Sequence, residues 1–286
     1  MAHDAPRSLF SEFSPDAPYV TEARRLLQSL MRRHTEPDRK IFMLTSAARG
    51  EGKSTICGLL GLVAARIFHK HTLIIDADMR RPTMHQLLDV SVKPGLYELL
   101  AGEATLELAR RPTALPLLHV IPSGRPGIHV HDSYHDDAFA RLLHEIRPSY
   151  DLIFVDAAPA VPVVEPAMMA EHVDALLLVA MAGRTPVSMV RRLRGILEPV
   201  ADKVVGAILN NATEGLPYYY DYSYYGYKPL LRRQRKKAGG VAVPGGGSPS
   251  GNGSSSMTAP GAPYHGAGTT VETTVVSSSA TPQHKE

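Results

Sequence analysis

The chain has 286 residues, 44% of them hydrophobic and 21% charged, which is enough apolar material for a sizeable core and for one or two domains. A net charge of +3 is too small for a nucleic-acid coat, so no nucleic-acid partner is expected, and a single cysteine, Cys57, excludes an intramolecular disulfide framework or a cysteine-based zinc cluster. The apolar runs fall far short of the ~20 residues that span a bilayer, and the N-terminus lacks the basic-then-apolar layout of a signal peptide, so the expectation is a soluble cytoplasmic protein.

From residue 41 onward, apolar β-type runs alternate with helical patterns. Ile41–Ser46 is the first expected strand, followed by a glycine-containing turn and a helix from about Lys53 to Phe68. His71–Asp76 and Leu117–Pro122 are the next strands. Ala138–Arg147 reads as an amphipathic helix with Phe139, Leu142, Leu143 and Ile146 on one face. Asp151–Asp156, Ala175–Ala180 and Val204–Asn210 complete the set. These runs are continuously apolar rather than alternating, as parallel strands covered on both faces require. The predicted fold is a doubly wound α/β domain with a mostly parallel sheet. From Ala238 to the end, Gly, Pro, Ser and Thr account for 29 of 49 residues, a composition that predicts a flexible tail. The expected organisation is an N-terminal segment 1–20, a folded domain 21–215, a tyrosine cluster 216–228, and a basic linker with tail 229–286.

Ala47 to Thr55 follows the first strand and opens the first long helix, with the spacing of a phosphate loop, except that Ala47 stands where the strict pattern has Gly. Gly50 and Gly52 permit the turn that points successive N–H groups at phosphate oxygens, and the helix start adds its positive dipole end. Lys53 is placed to neutralise β- and γ-phosphates, and Ser54 to offer its hydroxyl to Mg²⁺. Asp76 ends one strand, Asp78 follows two residues on, and Asp156 ends another, so a parallel sheet delivers all three to the edge where the loop lies. Three carboxylates around a triphosphate repel one another without a cation, which implies Mg²⁺. Arg80 and Arg81 lie close to phosphate or pair with acidic neighbours. Asn210 ends the last strand, where its amide either reads an adenine edge or forms a turn.

Seven of the twelve tyrosines, Tyr218, Tyr219, Tyr220, Tyr222, Tyr224, Tyr225 and Tyr227, sit within ten residues, and neither helical nor strand periodicity selects a buried face for them. The seven residues between Asn210 and Tyr218 reach about 25 Å if extended, enough to enter a neighbour's site. Lys228, Arg232, Arg233, Arg235, Lys236 and Lys237 follow as a basic stretch, either a solvated linker or a partner for phosphotyrosine or anionic lipid. His129, His131 and His135 have spacing that permits a metal, although a solvated His-rich loop is the commoner arrangement.

Together, the segments SAARGEGKST, LIIDADMRRP, YDLIFVDAAP and VVGAILN, followed by the tyrosine cluster, resemble the bacterial tyrosine kinases (BY-kinases) of capsule and exopolysaccharide systems, over about residues 14–228. The resemblance implies a phosphate-loop NTPase fold with deviant Walker motifs and an ATP-dependent protein-tyrosine autokinase. Arg49, Gly50, Glu51, Gly52, Lys53, Ser54 and Thr55 would bind ATP with Asn210. Asp76 and Asp78 would act with Lys53 in catalysis, and Ser54, Asp78 and Asp156 would hold Mg²⁺, Asp156 through water. The clustered tyrosines would be phosphorylated by a neighbouring subunit in a ring built partly through Glu22 and Arg25. The implied partners are a membrane-embedded polysaccharide co-polymerase that activates the kinase and recruits it to the inner membrane face, and a cognate phosphotyrosine phosphatase.

Three departures from the family pattern stand out. Arg49 replaces a usual Pro, Ala157-Ala158 replaces Thr-Pro after Asp156, and Gln28 replaces the last Arg of the assembly pattern. The alternatives are a positioning ATPase of the ParA/MinD type, against which Ala48 stands where those proteins carry lysine, and a catalytically weak nucleotide-binding scaffold.

Overall fold

The apolar runs become the strands of one seven-stranded sheet in the computed structural model, which describes residues 8–33, 39–125 and 137–212. The strands are β1 (Ile41–Ser46), β2 (Thr72–Asp76), β3 (Arg111–Pro112), β4 (Leu118–Ile121), β5 (Leu152–Asp156), β6 (Ala175–Met181) and β7 (Val204–Asn210). Their order is β3-β4-β2-β5-β1-β6-β7, parallel throughout except for the β3–β4 pair. Every residue of β1, β2 and β5 is buried, which explains why these strands read as unbroken apolar runs. The sequence did not signal β3; its Pro112 lacks an N–H, and an edge strand is where a sheet tolerates that.

Helices cover both faces. On one face α3 (Lys53–Arg66) is packed nearly all round, and Val20, Ala23, Leu26, Leu27 and Leu30 of α2 (Pro18–Arg33) share its core. Here α1 (Leu9–Glu12) also reaches α3, at Gly58, where a Cβ would come within 2.5 Å of Leu9 Cδ1. The other face buries Phe139, Leu142, Leu143 and Ile146 of α7 (Ala138–Ile146), Met169 and Ala170 of α8 (Glu165–Ala170), and Leu193 of α9 (Val187–Ile196). The short helices α4 (Met84–Leu87), α5 (Leu96–Leu100) and α6 (Leu106–Ala109) lie between β2 and β3. At roughly 1.5–3 kcal/mol per buried large aliphatic side chain, these two cores dominate the stability of the domain.

Two helices end earlier than expected. Helix α7 stops one residue early because the chain tightens there: Arg147, still in helical backbone at φ −50° and ψ −44°, opens the 3-10 turn Arg147–Ser149. The α3 helix ends at Arg66 rather than Phe68. Among the described residues, no helix is long and apolar enough to cross a membrane. The tyrosine cluster, the basic stretch after it, the histidines at 129, 131 and 135, and the Gly/Ser/Pro/Thr-rich segment lie outside the described residues.

Candidate active site

The site forms at the carboxyl ends of the parallel strands, where β1 turns into α3. Gly50 and Gly52 both take positive φ, 75° and 86°, a backbone region open to glycine at little cost. At Gly52 a second constraint acts, since a Cβ there would fall 2.1 Å from the Asn210 amide nitrogen. The loop is braced from three directions. Glu51 is buried, and its carboxylate accepts the Ala48 N–H at 2.8 Å and the Thr185 hydroxyl proton. The Thr185 oxygen in turn accepts the Met181 N–H at 2.8 Å, and Asn210 donates to the Glu51 carbonyl at 3.0 Å.

A cleft of about 260 Å³ opens over this loop. The loop contributes Arg49, Gly50, Gly52, Lys53, Ser54 and Thr55; the segment after β2 contributes Asp78, Arg80 and Arg81; Ala158 and Pro159 close another side. Arg80 pairs with Glu165 at 2.7 Å, while Arg81 lines the cleft. Lys53 is only 6% exposed, and its ammonium lies close enough to Asp78 and Asp156 to pull down the pKa of each.

The three aspartates divide into different roles. Asp78 lines the cleft; burial raises its pKa, and Lys53 and Arg49 oppose that rise. Asp156 is fully buried, and burial pushes its pKa up to about 6 against the pull of Lys53 and the neighbouring Ser54 hydroxyl. Neither of its oxygens has a hydrogen-bond partner among the described residues. Asp76 is also fully buried, but its oxygens accept backbone N–H groups from Met84 at 3.1 Å and Asp78 at 3.3 Å. Burial and the adjacent Asp156 hold its pKa well above the ordinary carboxylate range.

Several of the expected site residues also have partners within the fold. Asp76 accepts two backbone N–H groups, and among the described residues no group of three His, Cys, Asp or Glu side chains forms a metal cage by itself. Asn210 is 1% exposed, its amide nitrogen donating to the Glu51 carbonyl and its oxygen accepting the Asn211 N–H at 2.9 Å, so it braces the loop. The Glu51 side chain is likewise a brace. Glu22 and Arg25 pair with each other within α2, where Arg25 remains 63% exposed. Sequence reasoning missed Thr185 and Glu165. Thr185 sits in an ordinary polar turn 134 residues from Glu51, with no local signal to mark it.

The Asp156 oxygens, without a hydrogen-bond partner among the described residues and beside the Ser54 hydroxyl, are the hard oxygen donors that Mg²⁺ takes. Ala157 and Ala158 fill the positions after Asp156 as buried backbone, with the Ala157 N–H on the Leu44 carbonyl and the Ala158 carbonyl accepting the Thr45 hydroxyl at 2.8 Å.

Strand order, loop geometry and the buried lysine define an α/β phosphate-loop NTPase. More particularly, the chain belongs to the bacterial tyrosine-kinase family, and as an enzyme it is a protein-tyrosine kinase. It is 34% identical over 205 residues to the tyrosine-protein kinase CpsD of Streptococcus agalactiae, covering 70% of this chain and 85% of that protein. It is 29% identical over 209 residues to the tyrosine-protein kinase wzc of Salmonella typhi, and 34% identical over 211 residues to the succinoglycan biosynthesis transport protein ExoP of Rhizobium meliloti. The chain spans only 29% and 25% of the lengths of those two larger relatives, while matching 73% and 72% of itself. The kinase domain of the Escherichia coli tyrosine kinase ETK superposes with a TM-score of 0.67 at 29% identity, covering 73% of this chain and 82% of that domain. MinD of Pyrococcus horikoshii, solved with Mg-ADP, shares the fold at a TM-score of 0.52 and 20% identity, covering 60% of this chain and 70% of that one. No protein-family model matches the chain.

Proposed function

We propose that the chain uses ATP with Mg²⁺ to phosphorylate tyrosines of its own cluster, Tyr218 to Tyr227, in a neighbouring subunit, and that this cycle regulates polysaccharide polymerisation and export. The observation that carries this reading is the glycine-shaped loop with buried Lys53 set against cleft-lining Asp78 and unpartnered Asp156. Phosphoryl transfer asks mainly for alignment and charge neutralisation. The loop N–H groups at residues 49–55 orient the phosphate chain, and Lys53 neutralises it from beneath. Ser54 and Asp156 would hold the metal, whose bound form supplies charge neutralisation at the transferring phosphoryl oxygens. Asp78, the aspartate of the three that lines the cleft, accepts the proton of the tyrosine hydroxyl; a carboxyl whose pKa burial has raised is a stronger base than a solvated one. Asp76 positions Asp78 through its backbone N–H.

The partner is a membrane-embedded polysaccharide co-polymerase that would recruit the chain to the inner face of the membrane. The likeness to the succinoglycan biosynthesis transport protein ExoP of Rhizobium meliloti supports this reading. Ring assembly through Glu22 and Arg25 of α2, and reversal by a phosphotyrosine phosphatase, complete the proposed cycle. The test is an anti-phosphotyrosine blot of the purified chain after incubation with Mg-ATP, beside Lys53→Met. Signal in the parent chain and loss of at least 100-fold in the variant is the expected result; equal signal in both would overturn the kinase assignment of this site.

A further inference from the structure

Helix α9 presents a basic face with no counterpart in the catalytic cleft. Arg191, Arg192 and Arg194 are all exposed, while the opposite side of the helix buries Leu193 into the core. None of the three forms an ion pair among the described residues. Val187 is 66% exposed and Val190 38%, one helical turn from Arg191 and Arg194 respectively, and Gly195 leaves the space beside them open. Guanidinium groups interleaved with exposed valines match a ligand that is anionic at its tip and apolar along its stem. A phosphotyrosine has that form, and Arg clusters take phosphate in a forked, bidentate geometry that lysine lacks.

The chain itself can supply such a ligand, since its tyrosine cluster begins eight residues after Asn210 in the sequence. Strand β7 is the edge strand beside β6, and the Asn210 carbonyl accepts the Ala182 N–H at 2.8 Å, five residues before α9 begins. The polypeptide therefore leaves the sheet next to the start of α9. From Asn210 the seven intervening residues reach about 25 Å, and the whole of α9 is only about 15 Å long. Before phosphorylation the cluster carries one acidic residue, Asp221, and has little to offer three arginines. Each phosphate adds roughly −1.5 to −2 charge at neutral pH.

We propose that the arginine face of α9 is the docking site for the chain's own phosphorylated tyrosine segment, engaged once residues 218–227 carry phosphate and vacant before. This rests on the cluster being the kinase's substrate. Docking on α9 removes the product segment from any cleft and holds it on the domain that made it.

A synthetic peptide covering residues 215–229, phosphorylated by chemical synthesis at Tyr218, Tyr222 and Tyr225, tests the docking without requiring kinase activity. Its binding is measured by fluorescence anisotropy to the full chain carrying Tyr→Phe at the seven cluster positions, which empties the face of its own ligand. The phosphopeptide should bind at least tenfold more tightly than the unphosphorylated peptide. The combined variant Arg191→Ala, Arg192→Ala and Arg194→Ala should lose at least tenfold of that binding while keeping its thermal transition and ATP affinity. A set of Arg→Lys changes at the same positions should recover only part of it. Equal binding of the two peptides overturns the proposal, as does phosphopeptide binding that the triple variant leaves intact, which would place the phosphates on the basic stretch after Tyr227. Arginine-dependent binding to phosphatidylserine vesicles without any preference for phosphopeptide also overturns it and assigns the face to a membrane. A chain that fails to phosphorylate itself yet binds the phosphopeptide through α9 would sink the substrate reading alone.

Discussion

Asp76 and Asp156 are register partners at the ends of neighbouring strands β2 and β5, both completely buried, and among the described residues only Asp76 finds hydrogen-bond donors for its oxygens. Two carboxyl groups in one dry site cannot both ionise cheaply. The backbone N–H groups on Asp76 offset part of its cost. Asp156 lacks that help, and the protein carries there a charge whose natural partner is a ligand.

A stability measurement detects that cost directly. Unfolded, Asp156 ionises near the usual aspartate value of about 3.9, whereas in the folded domain it holds its proton until about pH 6. The folded-state pKa is the higher of the two, so folding is disfavoured as pH rises through the window from about 4 to 6 and levels off above it. Asp156→Asn removes this dependence. The stability of the variant relative to the parent chain should therefore improve by on the order of 2–3 kcal/mol between pH 4 and pH 8 in urea unfolding without ligand. A difference that stays constant across the range would show that Asp156 ionises normally in the folded chain.

The same proton competes with the metal. Only ionised Asp156 can serve Mg²⁺, so Mg-nucleotide affinity should be flat above about pH 6.5 and fall by up to tenfold per pH unit below about 6. In Asp156→Asn the affinity should be lower at neutral pH and lose most of that slope. Isothermal titration at pH 5, 6, 7 and 8 decides the point, with slopes that match between the two proteins counting against Asp156 as a metal group.

Asp76 and Asp78 separate by placement. Asp78 lines the cleft, so Asp78→Asn should reduce autophosphorylation by about 100-fold or more with nucleotide affinity changed less than threefold. Asp76 meets two backbone N–H groups, and an amide can accept from only one of them, so Asp76→Asn should cost about 1–3 kcal/mol of stability as well as activity. Radiolabelled phosphate transfer and thermal unfolding on both variants distinguish the two. A large loss of stability in Asp78→Asn would place that residue with the scaffold instead.

Much of this site was legible in the sequence because its determinants are local. The Gly50 and Gly52 turn, the Lys53 helix start and the aspartates ending β2 and β5 each follow from a few adjacent residues. The bounds of β1 and β7 could be read to the residue: β1 is buried throughout and leaves an unbroken apolar run, and β7, a partly exposed edge strand, keeps an apolar run that Asn210 ends. What could not be read depends on chain separation. Thr185 meets Glu51 across 134 residues, Arg80 meets Glu165 across 85, and nothing in a polar turn foretells either pairing. The amphipathic spacing of Val20, Ala23, Leu26, Leu27 and Leu30 was present in the sequence, and α2 shows it to be a helical face packed against α3. The separate fates of Asp76 and Asp156 needed the backbone around them, because residue type and strand position are the same for both.

The loop and the last strand are coupled most closely at Gly52 and Asn210. Ala at Gly52 meets two penalties, a φ of 86° that L-residues rarely adopt and a Cβ placed 2.1 Å from the Asn210 amide nitrogen. Removing Asn210 alone forfeits its hydrogen bond to the Glu51 carbonyl, at about 1–3 kcal/mol for the buried acceptor left behind. The two changes remove and relieve parts of the same contact. Gly52→Ala should lose nucleotide affinity by at least 30-fold and Asn210→Ala by about tenfold. The double variant should bind better than the product of those losses, by on the order of 1 kcal/mol, because the Asn210 side chain is no longer there to clash. The backbone strain at residue 52 survives in the double variant, so recovery stays incomplete. Strict additivity in fluorescent-nucleotide titrations would mean that the Gly52 requirement is purely one of φ, with Asn210 free to move aside.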